Sequence, residues 1–412
     1  MDITTERSLV RELAKQYAEI AAHPANAERK ARIIDNNSLV PGRPIVWIDE
    51  VPWFEMDFDG SLAPRCERPE FAEIERFFRV MLFRWKHMQA DMVAEDTYYI
   101  GKAFERTGIG VSVREDTSST DDKNWIVSHH YDDQLDTEEK VERLGLPVVT
   151  VRPDIDAKKL EFAREVIGDI IPVELRGHMI YYSPWDEIST LRGVTAILTD
   201  MAERPELMHR TIQKFTEYHT SLCEQMLEQG LLAHNLSSLH CTPAYTRELP
   251  AADYDGGNLR FKDIWFRGMA QIFSSVSPAM HEEFDLQYMR PMMERCGLAY
   301  YGCCEALDNK ISLLKKTPNM RKIGVSPWAD VRKCAEQMGG GYVFARKPNP
   351  AMVMGDFDEE AVRRETRETV EACLENKCPY ELVLKDISTV SYRAENLFKW
   401  NKAVQETIDE YY

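Results

Sequence analysis

Residues 277–305 read SPAMHEEFDLQYMRPMMERCGLAYYGCCE, and their order decides the fold class. Ser277 stands before Pro278 as a capping residue ahead of a proline suited to the first helical position. Met280, Phe284, Tyr288 and Met292 recur at helical spacing, so a helix is expected from Pro278 to about Cys296 with one apolar face, ended by Gly297. At Leu298 the period changes to a short β-rich run, LAYYG, that stops at Cys303, Cys304 and Glu305. A helix feeding a short apolar strand with a polar end is the unit from which parallel α/β sheets are built.

The same unit recurs on either side. PIVWIDE (44–50), GHMIYY (177–182), NLSSLH (235–240), RKIGVS (321–326), GYVFARK (341–347) and ELVLKDIS (381–388) are short apolar runs, each followed after a gap by a helical pattern. Ser183-Pro184 and Ser326-Pro327 repeat the punctuation of Ser277-Pro278 and predict further helix starts. With either LPVVTVRP (146–153) or VSVRE (111–115) as the eighth strand, the alternation predicts an α/β fold, a (β/α)8 TIM barrel in one domain spanning 1–412. Residues 1–40 read as two N-terminal helices, the first with Leu9, Leu13, Tyr17 and Ile20 in a narrow stripe. About 54–176 reads as a long insertion after the first strand that caps the mouth, with a helix from Glu70 to about Val93 and a polar stretch, DTSSTDDKNW (116–125).

Composition narrows the function. The chain has 412 residues, 44% hydrophobic, 10% aromatic and 29% charged, enough for a large core and too charged for a membrane protein. The formal net charge of −18 would repel a phosphate backbone, and no basic stretch offsets it, so nucleic acid is not an expected partner. Nine cysteines, an odd number in an acidic chain, fit a reduced compartment. The N-terminal residues lack the apolar region of a signal peptide, so a cytoplasmic location and no membrane partner are expected. No GxxxxGK[ST], GxGxxG after a strand, GxSxG or HExxH occurs, which removes weight from nucleotide, nicotinamide, serine-hydrolase and zincin chemistry.

In parallel βα folds chemistry sits at the carboxyl ends of the strands. Those ends carry Asp49 and Glu50, Asp186 and Glu187, His240 and Cys241, Cys303, Cys304 and Glu305, Ser326, Lys347 and Asp386. Glu50, Glu187, Glu305 and Asp386 are the candidate catalytic carboxylates, although any of them also suits helix entry or a salt bridge. Cys303 and Cys304, with His240, are candidate ligands of a zinc-like ion, and mixed ligation by Cys304, Glu305 and His240 is a variant; the plainer reading of the cysteines is packing. Trp47, Trp53, Trp185, Tyr301 and Trp328, together with His240 and Lys347, are candidate substrate-binding residues around an aromatic mouth suited to a flat ligand. His129 and His130 followed by Asp132 and Asp133 have no third element to fix a metal spacing.

PIVWIDEVPWFEM (44–56), the stretch 277–311, KIGVSPWADVRKCAEQMGGGYVFARKPNP (322–350) and ELVLKDIST (381–389) together resemble the uroporphyrinogen decarboxylase superfamily, on its corrinoid-dependent methyltransferase-like branch. The resemblance implies a (β/α)8 barrel. It also implies one of two chemistries: decarboxylation of acidic tetrapyrroles held by a first strand rich in arginine, or zinc-assisted methyl exchange with a corrinoid. Trp47, Asp49 and Glu50 in place of arginines disfavour the porphyrin substrate. The family's zinc motif, His-x-Cys with a distant cysteine near the last strand, is altered here to Tyr301-Gly302-Cys303-Cys304-Glu305 with Asp386 at the position of the second cysteine. What the resemblance implies is therefore a methyltransferase, the O-demethylase component that moves methyl from a methylated small molecule, an aromatic methyl ether by preference, to the Co(I) corrinoid of a separate partner protein. The implied cofactors are that corrinoid and zinc, and a homodimer is the expected assembly. A decarboxylase-like lyase acting on a smaller carboxylic acid, with Lys347 and His240 holding the carboxylate, is the alternative enzyme, and a non-catalytic small-molecule-binding barrel the alternative outside catalysis.

Overall fold

The computed structural model describes residues 1–119, 121 and 126–412. Its centre is a six-stranded parallel sheet of β1 (Ile45–Ile48), β2 (Trp265–Gly268), β3 (Leu298–Tyr301), β4 (Met320–Val325), β5 (Val343–Arg346) and β6 (Tyr380–Leu384). Their order is β1–β6–β5–β4–β3–β2, so the first and last strands in sequence lie side by side. Side chains alternate across the pleat. One face carries Val46, Ile48, Phe266, Ala299, Tyr301, Ile323, Phe344, Leu382 and Leu384, which enter the main apolar cluster together with helices Val331–Met338, Glu359–Glu375 and Glu395–Asp409. The other face, called the inner face below, carries Trp47, Trp265, Tyr300, Ala345 and Val383 and is covered by Leu239, Cys241, Ala244 and Tyr245. Arg267, Lys322 and Glu381 share that parity.

The helix after Ser277 forms as expected. The Ser277 side chain accepts from the Met280 backbone N–H at 3.2 Å, and the helix runs through a π turn at Glu282–Leu286 to Arg295. Ser326-Pro327 differs: it opens a turn, and the helix begins at Val331, where Asp330 caps it through the Lys333 N–H at 3.0 Å. At Ser183 the helix starts at Pro184, but the serine hydroxyl donates to Asp186 instead of capping.

Two expected strands are reduced to fragments. Residues 177–182 make only isolated parallel bridges, His178 to Leu232 and Tyr182 to Gly268. Residues 235–240 supply Ser238–Leu239, antiparallel to Thr242–Pro243. Neither candidate for the eighth strand joins the sheet: Val149–Val151 pairs antiparallel with Phe104–Arg106, and of 111–115 only Glu115 is in a strand, part of the hairpin Glu115–Ser118/Ser128–Tyr131. Strand β2 was not expected, because Arg267 interrupts its apolar run.

The helix predicted from Glu70 to Val93 spans Pro69–Phe83, then a π turn ending at Gln89 in the left-handed region. It packs with Val10, Leu13 and Tyr17 of the first helix, Ile3–Ala21, and with Tyr98, Val166 and Val173 in a second apolar core. Within the polar stretch 116–125, residues 116–118 belong to the hairpin, and 120 and 122–125 lie outside the described residues. Among the described residues no helix is long and apolar enough to cross a membrane.

Candidate active site at the strand ends

Cys303 and Cys304 follow β3, Asp386 follows β6 and Glu50 follows β1. The Gly302 turn lets β3 end there: its φ is +98°, and a Cβ would lie 2.6 Å from Leu307 and 3.3 Å from the Gly324 nitrogen. Glycine alone meets both demands. Glu50, His240 and Asp386 also have left-handed backbones, with φ of 48°, 56° and 55°. Non-glycine residues rarely adopt that conformation, glutamate least readily of these three, and such strain persists where the surroundings over-determine it, as at functional sites.

The side chains meet closely. Cys303 Sγ lies 3.8 Å from Cys304 Sγ, and the Cys304 thiol donates to Asp386 Oδ2 at 3.0 Å. Lys385 Nζ donates to Cys303 Sγ at 2.9 Å and lies 3.1 Å from Asp386 Oδ2 and 3.4 Å from Glu50 Oε2. Glu50 Oε2 accepts the Asp386 N–H at 3.1 Å, and Glu50 Oε1 stands 3.3 Å from His240 Nε2.

The ionisation of the cluster follows from these contacts. Hydrogen bonds from Cys241 and Cys304 pull the Cys303 thiol well below its ordinary value against the effect of burial, with His240 and Arg267 assisting. The Cys304 thiol is pushed up by Cys303 and by burial. Burial lowers Lys385, but the thiol and carboxylate charges around it outweigh that and hold it above the ordinary lysine value. Burial, and then Asp386, raise Glu50, whereas for Asp386 burial is outweighed by Glu50 and Lys385, which hold it below the ordinary value. The arrangement thus joins a thiol made more acidic, a lysine whose charge is favoured and a carboxyl whose protonation is favoured.

The other expected site residues are distributed differently. Glu305 is fully buried and accepts from the Cys303 N–H at 2.8 Å and the Ala270 N–H at 3.1 Å, so it positions the cysteine turn and its oxygens are already engaged. Asp186 accepts from Ser183 and from the backbone and side chain of Gln271. Glu187 is 3.0 Å from His219; burial opposes its ionisation, but His219 and Arg106 outweigh that and hold it below the ordinary value. Trp185 and Tyr301, expected at the mouth, face the helical layer instead: the Trp185 indole donates to the Phe284 carbonyl, and the Tyr301 hydroxyl lies between His281 and Asp285. For Tyr301 the alternation of β3 is the reason, since Tyr300 takes the inner face. Trp53 packs edge-on against Phe83. Trp47 is buried on the inner face with its indole 3.3 Å from Asp49. Trp328 is 72% exposed beyond β4. Lys347 is buried on the inner face. His129 pairs with Glu115 on the exposed hairpin, away from any three-ligand grouping among the described residues.

Arg267, Lys322, Glu381 and Lys385 were not anticipated. For Glu381 and Lys385 the signal was present in and just after β6, where they stand on the same face as Val383, alternating with Leu382 and Leu384.

Among solved structures, a methyltransferase from Methanosarcina mazei is similar to this chain with a TM-score of 0.51 and 14% sequence identity over 93% of this chain and 99% of its own. At that identity the likeness concerns the fold, an α/β architecture around the parallel sheet. No family model and no curated protein matches the chain.

Proposed function

We propose that the chain is a methyltransferase, acting at the carboxyl ends of a (β/α)8 barrel, that moves a methyl group from a methylated small molecule to the Co(I) corrinoid of a separate protein. The observation that carries this reading is the convergence of Cys303, Cys304, Asp386, Glu50, His240 and Lys385 on one point at the ends of β1, β3 and β6. The adjacency of β1 and β6, with the bridges of His178 and Tyr182, supports the barrel, and the fold likeness to a methyltransferase supports the reaction class.

The donor set fits a zinc-like ion. Two thiolates at about 2.3 Å from one tetrahedral ion stand about 3.8 Å apart, and the Cys303 and Cys304 sulfurs are 3.8 Å apart with Asp386 oxygen in the same grouping. Cys303, Cys304 and Asp386 would hold it, with His240 at the rim through Glu50, and the ion would supply Lewis-acid polarisation of the leaving oxygen. Cleavage of a methyl ether by a nucleophile needs the departing oxygen protonated or bound to a Lewis acid, and Glu50 is our candidate for the proton. Lys385 holds the Glu50 and Asp386 carboxylates and the Cys303 sulfur in register. Glu305 fixes the Cys303 backbone. Glu187, held ionised by His219, is not suited to donate.

The test mixes the purified chain with a reduced corrinoid protein and a panel of methoxylated aromatics and follows Co(I) becoming methyl-Co(III) by absorbance. Turnover is expected, falling about 10²–10⁴-fold in Glu50→Gln; metal content near one ion per chain is expected to vanish in Cys303→Ser/Cys304→Ser. No spectral change with aromatic ethers, methylamines or methanol would sink the methyl-transfer reading. A decarboxylase of a smaller acid is the second reading, favoured by the buried Lys347 ammonium, which has no hydrogen-bond partner; carbon dioxide release from a carboxylated substrate would establish it.

A further inference from the structure

The inner face of the sheet buries more cations than it pairs. Lys322 has Glu381 at 2.8 Å, and Lys385 has the carboxylates already described. Arg267 and Lys347 have no carboxylate within ion-pair distance among the described residues, although both are almost wholly buried, at 0% and 2% exposure. Arg267 stacks on Tyr300, its Cζ 4.1 Å from the ring centroid, and Lys347 Nζ is 5.6 Å from the same ring. Three polar groups around that ring lack any hydrogen-bond partner: Arg267 Nε, Lys347 Nζ and the Tyr300 hydroxyl. The remaining nitrogens of Arg267 reach only the Gly268 carbonyl and the Met269 sulfur.

A buried charge without a partner is costly, and here two of them face one tyrosine ring. Met269 links this group to the side of the thiol cluster. Met269 Sδ is 3.6 Å from Arg267 and 3.9 Å from the hydroxyl of Tyr181, a residue 41% exposed whose ring lies 5.4 Å from that of His240.

We propose that Arg267, Lys347 and the Tyr300 hydroxyl form an anion-binding subsite, reached past Tyr181, that takes the carboxylate of a small organic acid. The guanidinium and ammonium supply charge-assisted donors, and the phenol adds a neutral donor to the same oxyanion. On the function proposed above, and resting on it, the methyl donor is an acid whose carboxylate anchors in this subsite with its reacting group toward the cysteines.

Binding of benzoate, of its neutral isostere benzamide, and of acetate and inorganic phosphate to the full chain is measured by calorimetry and by thermal shift. Benzoate is expected to bind at least tenfold more tightly than benzamide, and Lys347→Met and Arg267→Met are each expected to erase that preference. Ligand-free Lys347→Met is expected to melt at or above the wild-type temperature, because it removes an unpaired buried charge, which establishes that the variant is folded. Acetate or phosphate binding as tightly as benzoate, with the same loss in the variants, supports the subsite and assigns it to a free anion. Equal affinities for benzoate and benzamide, or a preference that survives in both variants, would overturn it. None of these readings involves methyl transfer, so a failed corrinoid assay beside an intact benzoate preference would remove the proposed reaction and leave the subsite standing.

Discussion

Arg192 and Arg267 are both fully buried, and they live in opposite electrostatic worlds. Arg192 ends a helix on the outer side of the sheet, where Asp133 accepts from it at 3.0 and 2.9 Å and Asp200 at 2.6 Å, with Arg204 completing the network. Arg267, on the inner face, stacks on Tyr300 with no carboxylate against it. Both guanidiniums are taken out of water, and their partners differ. In the helical layer the counter-charge is part of the chain and the cation is structural. On the inner face no carboxylate pairs with the cation, which instead helps to lower the Cys303 thiol and keeps its Nε without a hydrogen-bond partner.

The contrast predicts unequal costs. Arg192→Met should lose about 3–5 kcal/mol of stability in urea unfolding, since it strands Asp133 and Asp200 with one cation fewer. A loss under about 1 kcal/mol would mean that the outer network is no more structural than the inner charges.

The inner face holds one internal pair that sharpens the same comparison. Lys322 and Glu381, both fully buried, are 2.8 Å apart. Glu381→Leu alone should cost about 3 kcal/mol because it leaves the ammonium buried and unpaired, whereas Lys322→Met/Glu381→Leu should come within about 1 kcal/mol of wild type. A double-mutant cycle measures the coupling; if the double variant is as unstable as the single one, the pair is needed for packing and not only for charge balance.

How far the sequence revealed these regions depends on what holds each together. Helix entry at Ser277 was legible because a cap and a proline act locally, and β3 was legible because its apolar run ends abruptly at Cys303. Cys303, Cys304, Glu50 and Asp386 were legible as strand ends, which topology alone brings together. Arg267 and Lys322 were not, because a charge inside an apolar run reads as an interruption until the pairing of strands shows several such charges on one face. The fragments at 177–182 and 235–240 misled for the opposite reason: their composition is β-rich, but a strand forms only where a neighbour offers a continuous edge.

Acid should weaken the outer network. Burial opposes ionisation of Asp200, but Arg204 and Arg192 outweigh it and hold its carboxyl below the usual aspartate value. A carboxyl whose folded value is depressed adds stability that is fully present above the unfolded value and is lost as pH falls through the folded one. Stability should therefore decline below about pH 4, the ordinary aspartate value. Asp200→Asn should cost about 2 kcal/mol at neutral pH, the worth of hydrogen bonds to charged groups, and should flatten that decline. A variant with an unchanged acid limb in pH-dependent unfolding would show that other carboxylates set it.

The smallest effect tests whether the helical layer also depends on local signals. Ser277 caps the helix that carries Phe284, Met289 and Met292 into the main apolar cluster, and its hydroxyl oxygen satisfies the Met280 N–H. Ser277→Ala removes one acceptor at an exposed helix start and should cost about 1 kcal/mol. Ser277→Asp should retain most of that stability, because a carboxylate both accepts the bond and complements the positive end of the helix. Thermal unfolding of the two variants separates capping from packing, since neither substitution touches the buried face. If alanine and aspartate destabilise alike, the helix is held by Phe284 and its neighbours alone, and the cap that made it readable contributes nothing to its stability.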